Sequence, residues 1–249
     1  MFSFYYYRRA HLYTLLLASA SPARRQTLQA AGINTQVAVS AVDEEEIRRK
    51  LFATSTPPPA RPRIVGCTGS ESATGIRASQ EVQALAAAKA TAIWQELQAG
   101  KLSFPPTPRP EVILGCDSML EMGGEILGKP HNPQLAHARL QAMSGNYGDL
   151  YTGHFLIDTA TGKSAAAVSC ARVYICELSE AEISAYVQTG EPLEVAGSFT
   201  IDGYGGTFVE KISGDPHGVV GVSLPLLRQL LAQLGYQIAD FWKPNTCQK

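Results

Sequence analysis

The sequence predicts a mixed α/β fold, and two observations carry that reading. Apolar runs bounded by turn residues alternate with helix-favouring stretches along the whole chain. No internal repeat occurs at solenoid or propeller periods, so the interleaved elements form one packed unit rather than an array. A length of 249 residues suits one large domain or two small lobes sharing a cleft.

Thr14–Ala18 is apolar and ends in Ser-Ala-Ser-Pro, the pattern of a buried strand running into a loop. Pro22 suits the first turn of a helix, Ala23–Ala31 continues it, and Gly32 stops it. Thr35–Val42 alternates like a strand before the acidic run Asp43–Glu46. From Ala53 to Ser79 the chain is rich in Pro, Ser, Thr and Gly, and a long, mobile surface insertion is predicted there. Glu81–Gln98 reads as an alanine-rich helix with Leu85, Ala88 and Ile93 near one face. After the Pro-rich stretch Phe104–Pro110 come the strand Val112–Gly115 and a hairpin turning at Met122-Gly-Gly124. Pro133–Met143 reads as a helix with Leu135, Ala136, Leu140 and Met143 on its apolar side. Tyr151–Thr159 and Ala165–Cys176 are predicted strands joined by a turn at Ala160–Lys163. Ser179, with Glu182 three residues on, starts a helix through Val187. A glycine-rich segment, Val195–Gly206, precedes the strand Phe208–Ile212, and Leu224–Leu234 is the last helix. Residues 1–11 then form an extension, 12–240 the domain, and 241–249 a tail.

Composition excludes more than it selects. The net charge of −1 provides no basic field for nucleic acid or anionic membrane, so a phosphate-bearing substrate would need a local cluster of positive charge. Five cysteines, odd in number and without CxxC spacing, signal neither a zinc site nor a disulfide framework, and reduced cytoplasmic thiols are expected. No two of the five histidines stand at a metal-binding spacing. The apolar run Leu12–Ala18 is too short for a secretory core, and none reaches a membrane span, so the expected compartment is the cytoplasm.

Chemistry concentrates in Ser19–Arg25. A loop that leaves a strand and enters a helix offers backbone N–H groups and a positive dipole end. Ser19 and Ser21 add hydroxyls, and Arg24 adds a planar fork for phosphate oxygens. An ordinary helix cap at Ser21 beside solvated arginines reads equally well. No GxxxxGK[ST] loop occurs, and the glycines at 203, 205 and 206 are no dinucleotide fingerprint. Asp117 follows the buried run Val112–Cys116, where an acid usually faces the ligand cleft of an open α/β sheet, and Lys129-Pro130 lies twelve residues on; taken alone, a surface Asp in a turn and a solvated Lys read as well. Lys89 is a lone cation among alanines, either reaching a ligand or snorkelling from a half-buried face. Glu44, in the acidic run, is a candidate metal ligand or simply solvated.

Taken in order, six stretches resemble the Maf family of nucleotide pyrophosphatases: LASASPARRQTLQAAGI, VDE at 42–44, LAAAKA at 85–90, GCDSMLEMGGEILGKP, MSGNYGDLYTG at 143–153, and the block from Ala196 to Leu227. The match runs from about Leu15 to about Gly235. This resemblance implies a Maf-like (ITPase-like) elongated mixed sheet flanked by helices, two lobes with a central cleft, and often a homodimer. It also implies cleavage of a nucleoside triphosphate between the α- and β-phosphates with a divalent cation (Mg²⁺, Mn²⁺ or Co²⁺). By position, Ser19, Ser21, Arg24, Lys89 and Lys129 fall on the family's substrate-gripping residues, Asp117 on its general base, and Glu44 with Asp117 on its metal ligands. Three positions depart from the family's sets: Ala23, Ser118 and Asp202, where the relatives taking dTTP and UTP carry Arg, Thr and Gln, and those taking 7-methyl-GTP carry Trp, Gln and Glu. The substrate base is therefore open. SPAR, CDSML and LYTGH look most like the actinobacterial branch. A nucleotide-binding regulator of cell division, using the insertion as a partner segment, is the competing expectation.

Overall fold

The computed structural model describes residues 12–53, 60–67, 72–102, 104 and 109–243. Among these residues eight strands form one mixed sheet: β1 (Leu15–Ala18), β2 (Thr35–Ala38), β3 (Ile64–Gly66), β4 (Val112–Met122), β5 (Glu125–Leu127), β6 (Tyr147–Asp158), β7 (Ser164–Ile175) and β8 (Val209–Ser213). The order is β2-β1-β4-β6-β7-β3, with β5 on β4 and β8 on β7. β1 runs parallel to both β2 and β4, whereas β4, β6 and β7 are antiparallel in turn. Among the described residues seven α-helices accompany the sheet: α1 (Pro22–Ala30), α2 (Glu44–Leu51), α3 (Ala73–Gln98), α4 (Pro133–Met143), α5 (Glu180–Gln188), α6 (Pro216–Val220) and α7 (Leu224–Gln233).

β1 reads as an unbroken apolar run because both of its faces are covered. Leu15 and Leu17 pack with Leu227 and Leu230 of α7, while Leu16 and Ala18 pack with Ala90 and Ile93 of α3. A further core group sits at the other end of the long strands, where Leu120, Leu140, Val173, Ile183 and Tyr186 meet under α4 and α5. The cleft opens between these two ends of the sheet.

The 26-residue α3 lies close against β4 and β6 because each strand carries a glycine where the helix backbone comes nearest. A Cβ on Gly115 would overlap the Ala86 carbonyl, and one on Gly153 would overlap that of Val82. Asp117 pairs in register with Gly153, so the helix descends onto the sheet beside the acid.

Several expectations need correction. Part of the stretch read as an insertion is built into the fold: β3 pairs with β7, and α3 begins at Ala73 rather than Glu81, with Ala78 and Ser79 fully buried. Residues 54–59 and 68–71 of that stretch, the extension 1–11 and residues 244–249 lie outside the described residues. Phe241, assigned to the tail, is fully buried against Tyr13 and Tyr236. The acidic run starts α2: Asp43 caps it, three glutamates fill its first turn, and Arg48–Lys50 end it, which suits the helix dipole. Leu135 points outward and is 43% exposed. Cys67 and Cys170 form a disulfide between β3 and β7, against the expectation of free thiols; spacing gave no hint, because 103 residues separate them. Cys116 is a free thiol, pushed up to about 12 by burial, and therefore inert. Cys247 lies outside the described residues.

Candidate active site

All ten residues singled out from the sequence line one cleft of about 1940 Å³: Ser19, Ser21, Ala23, Arg24, Glu44, Lys89, Asp117, Ser118, Lys129 and Asp202. They reach it from six stretches of the chain, and the structure gives each a distinct setting.

The loop after β1 holds Ser19 and Ser21. Ser21 caps α1, its Oγ accepting from the Arg24 N–H at 3.4 Å, while its own N–H donates to Ser19 Oγ at 3.2 Å. The ordinary cap is thus realised, and it orients the first turn of the helix that carries Arg24. That guanidinium is held on three sides: Nε donates to the Gly221 carbonyl (3.1 Å), Nη1 to Ser19 Oγ (3.0 Å) and Nη2 to Ser118 Oγ (3.0 Å).

A charged cluster lines the same cleft. Lys89 Nζ bridges Asp117 Oδ1 at 2.6 Å and Glu44 Oε1 at 2.8 Å. Asp117 is only 8% exposed, and it sits inside the eleven-residue β4 rather than at a strand end, as the sequence had suggested. Arg48 extends the cluster: Nε donates to Glu81 Oε1 at 2.7 Å and Nη2 to Glu44 Oε2 at 3.2 Å. Partial burial works to raise the Glu44 carboxyl; Lys89 and Arg48 outweigh it and hold the group below the usual carboxylate range. Burial likewise works against the Arg48 charge, but Glu81 and Glu44 outweigh it and raise the guanidinium further.

The far rim is looser. Lys129 and Asp202 are exposed, and Asp202 contacts only its neighbour Thr200 among the bonds of the described residues. The backbone beneath Asp202 is pinned by Glu191, whose carboxylate accepts from the N–H groups of Tyr204 and Gly205, both at 3.0 Å, and from the Tyr186 hydroxyl at 2.9 Å. Burial, then the Glu191 charge, pushes the Tyr186 hydroxyl well above its usual range, so it stays a donor.

Sequence reasoning missed Arg48, Glu81, Thr152 and Glu191. Thr152 stood in a quoted motif but had no assigned partner; Arg48 and Glu81 lie 33 residues apart and meet only when α2 docks on α3.

The sequence profile described as "Maf-like protein" matches residues 14–234 of this chain. The chain belongs to the Maf family. Proteins named nucleoside triphosphate pyrophosphatase are similar over nearly its whole length. One from Thermosynechococcus vestitus is 45% identical over 225 residues, covering 90% of this chain and 96% of its own. Another from Salinispora tropica is 44% identical over 232 residues, covering 93% and 88%. A Nudix hydrolase fusion protein of that activity from Bifidobacterium longum shares 53% identity over 131 residues, which is 27% of its length. The first two stand level, so these identities do not resolve a branch of the Maf family. No helix among the described residues is long and apolar enough to cross a membrane.

Proposed function

We propose that this Maf protein hydrolyses a nucleoside triphosphate to the monophosphate and pyrophosphate. The observation that carries the reading is the meeting, in one cleft, of a three-point-anchored arginine with a lysine bridging two carboxylates. Phosphoryl chemistry needs positioning and charge neutralisation above all, and this cleft supplies fixed cations beside a carboxylate base.

In this mechanism Ser19 and Arg24 grip phosphate oxygens, with Lys129 reaching in from the rim. Asp117 takes the proton from the attacking water through the oxygen that Lys89 does not hold. Lys89 fixes the base and adds positive charge where the leaving pyrophosphate develops its own.

Glu44 and Asp117 fit a hard divalent cation (Mg²⁺, Mn²⁺ or Co²⁺) in their donor chemistry, both being carboxylates already drawn around one positive charge, the Lys89 ammonium. Two protein carboxylates with substrate phosphates and water completing the shell is the usual pattern for Mg²⁺. Such an ion, when bound, would neutralise phosphate charge and polarise the reacting centre. Ala23, Ser118 and Asp202 would set which base is accepted, Asp202 by accepting from a base N–H edge.

The test is pyrophosphate release by purified protein on standard and base-modified triphosphates, with Mg²⁺, Mn²⁺ or Co²⁺, beside Asp117→Asn. Pyrophosphate and monophosphate from the wild type are expected, with a loss on the order of 10³-fold in the variant. Full turnover by the variant would remove Asp117 from its role, and no turnover by the wild type on any triphosphate would remove the activity.

A further inference from the structure

We propose that Thr152 is a positioning residue for Arg24, acting through the Ser118 hydroxyl; the proposal rests on the pyrophosphatase reading above and deepens it. Thr152 lies on β6 directly across from Ser118 on β4 and is fully buried. A hydroxyl placed so deep needs partners, and it has two at 2.8 Å: the Gly218 carbonyl and Ser118 Oγ.

The chemistry of those partners fixes the direction of every proton. A carbonyl can only accept, so the single Thr152 proton goes to Gly218. The Thr152 oxygen then accepts from Ser118, whose own oxygen turns a lone pair to Arg24 Nη2 at 3.0 Å. A serine hydroxyl without that acceptor rotates freely, and in some rotamers its proton opposes the guanidinium.

The same short helix closes the arrangement from both sides. Gly218 within α6 receives Thr152, and Gly221 at its C-terminal end receives Arg24 Nε. Of the five N–H groups on the guanidinium, three are spent on protein acceptors, which leaves one on each terminal nitrogen for phosphate oxygens. The buried His154 supports the strand at this point: Nδ1–H donates to the Thr152 carbonyl at 3.0 Å, and Nε2 accepts from the Ser223 N–H at 2.9 Å.

The experiment is a double-mutant cycle on the full chain: wild type, Thr152→Val, Ser118→Ala and the pair, with Thr152→Ser as the conservative variant. Affinity for an α,β-methylene nucleoside triphosphate is measured by calorimetry, and KM and kcat by pyrophosphate release. Each single variant is expected to bind the analogue about tenfold more weakly, the scale of one misaligned charged hydrogen bond. The pair should be no weaker than either single variant, and Thr152→Ser should recover to within about threefold of the wild type. Additive losses in the pair, or a serine variant as weak as valine, would overturn the proposal. Should Thr152→Val fail to fold, Ser118→Ala decides alone, because wild-type affinity there removes the intermediary on which the argument depends. Binding of the analogue without turnover of any triphosphate would sink the pyrophosphatase reading while the cycle still judged Thr152.

Discussion

The two walls of the cleft are built on different principles. On one side Ser19, Arg24, Ser118 and Thr152 form a partly buried chain of hydrogen bonds spanning the loop after β1, α1, β4, β6 and α6. On the other, Lys129 and Asp202 are exposed side chains, and only the backbone beneath Asp202 is tied down. In the proposed mechanism the interlocked wall would meet the phosphates that every triphosphate shares, and change there is costly because each member satisfies another. An exposed rim can vary with less consequence, since a group unpaired there can turn to water. The three positions at which this chain departs from the family's sets divide accordingly: Ala23 and Asp202 carry no partner in the interlocked wall, whereas Ser118 is part of it.

Four predictions would break or sharpen that contrast. Arg24→Lys should cost the most, about 100-fold in kcat/KM, because one ammonium cannot meet three acceptors at fixed angles and still face phosphate. Steady-state kinetics with the fold checked by circular dichroism decides it, and a loss below about fivefold would mean the three anchors are incidental. Acid should act on the interlocked side next. Burial depresses His154 from 6.5 to about 4 against the opposing pull of the Thr152 carbonyl, and the bond that Nε2 accepts from Ser223 requires the neutral ring. Between those values the unfolded chain binds a proton that the fold refuses, so stability is complete above about 6.5 and falls as pH drops toward 4. The loss should be roughly 3 kcal/mol, seen in denaturant midpoints across that window, and His154→Gln should flatten it. Lys129→Ala should raise KM about tenfold with kcat little changed, the sign of an exposed contact made equally to substrate and transition state. Asp202→Asn should do least to the best substrate, within about threefold, while shifting the ratio between bases. A base ratio that stays put would move specificity elsewhere on the cleft.

How much of this was legible in the chain depends on distance. The strand-loop-helix around Ser21 and Pro22 could be read because its signals are local: an apolar run, a cap and a proline at the first turn. The Ser179–Glu182 capping box and the helix over Pro133–Met143 were legible for the same reason. α2 was not, since it buries no residue completely and its charges resemble a solvated run until Arg48 meets Glu81. Lys89 stood out among alanines, yet its reach to Asp117 depends on Gly115 and Gly153 letting α3 down onto the sheet. Ser19 apart, the side-chain partners of Thr152 and Arg24 lie 34 to 197 residues away, beyond any local pattern. β3 was hidden in a segment whose composition reads as loop, because three residues added to an existing strand edge need little apolar content of their own. It follows that deleting residues 54–78 would remove β3 and the first turns of α3 along with any surface loop, so such a deletion cannot isolate a partner-binding role.

The bond between Cys67 and Cys170 makes a covalent ring of the chain between them, and that ring carries Lys89, Asp117, Ser118, Lys129 and Thr152, while Ser19, Arg24, Glu44 and Asp202 lie on the two free arms. Under tension applied at the two ends, the arms would pay out and the ring would not. At about 3.4 Å per extended residue, the oxidised molecule should lengthen by roughly 350 Å less than the reduced one, leaving half of the cleft on a loop that mechanical force cannot unthread.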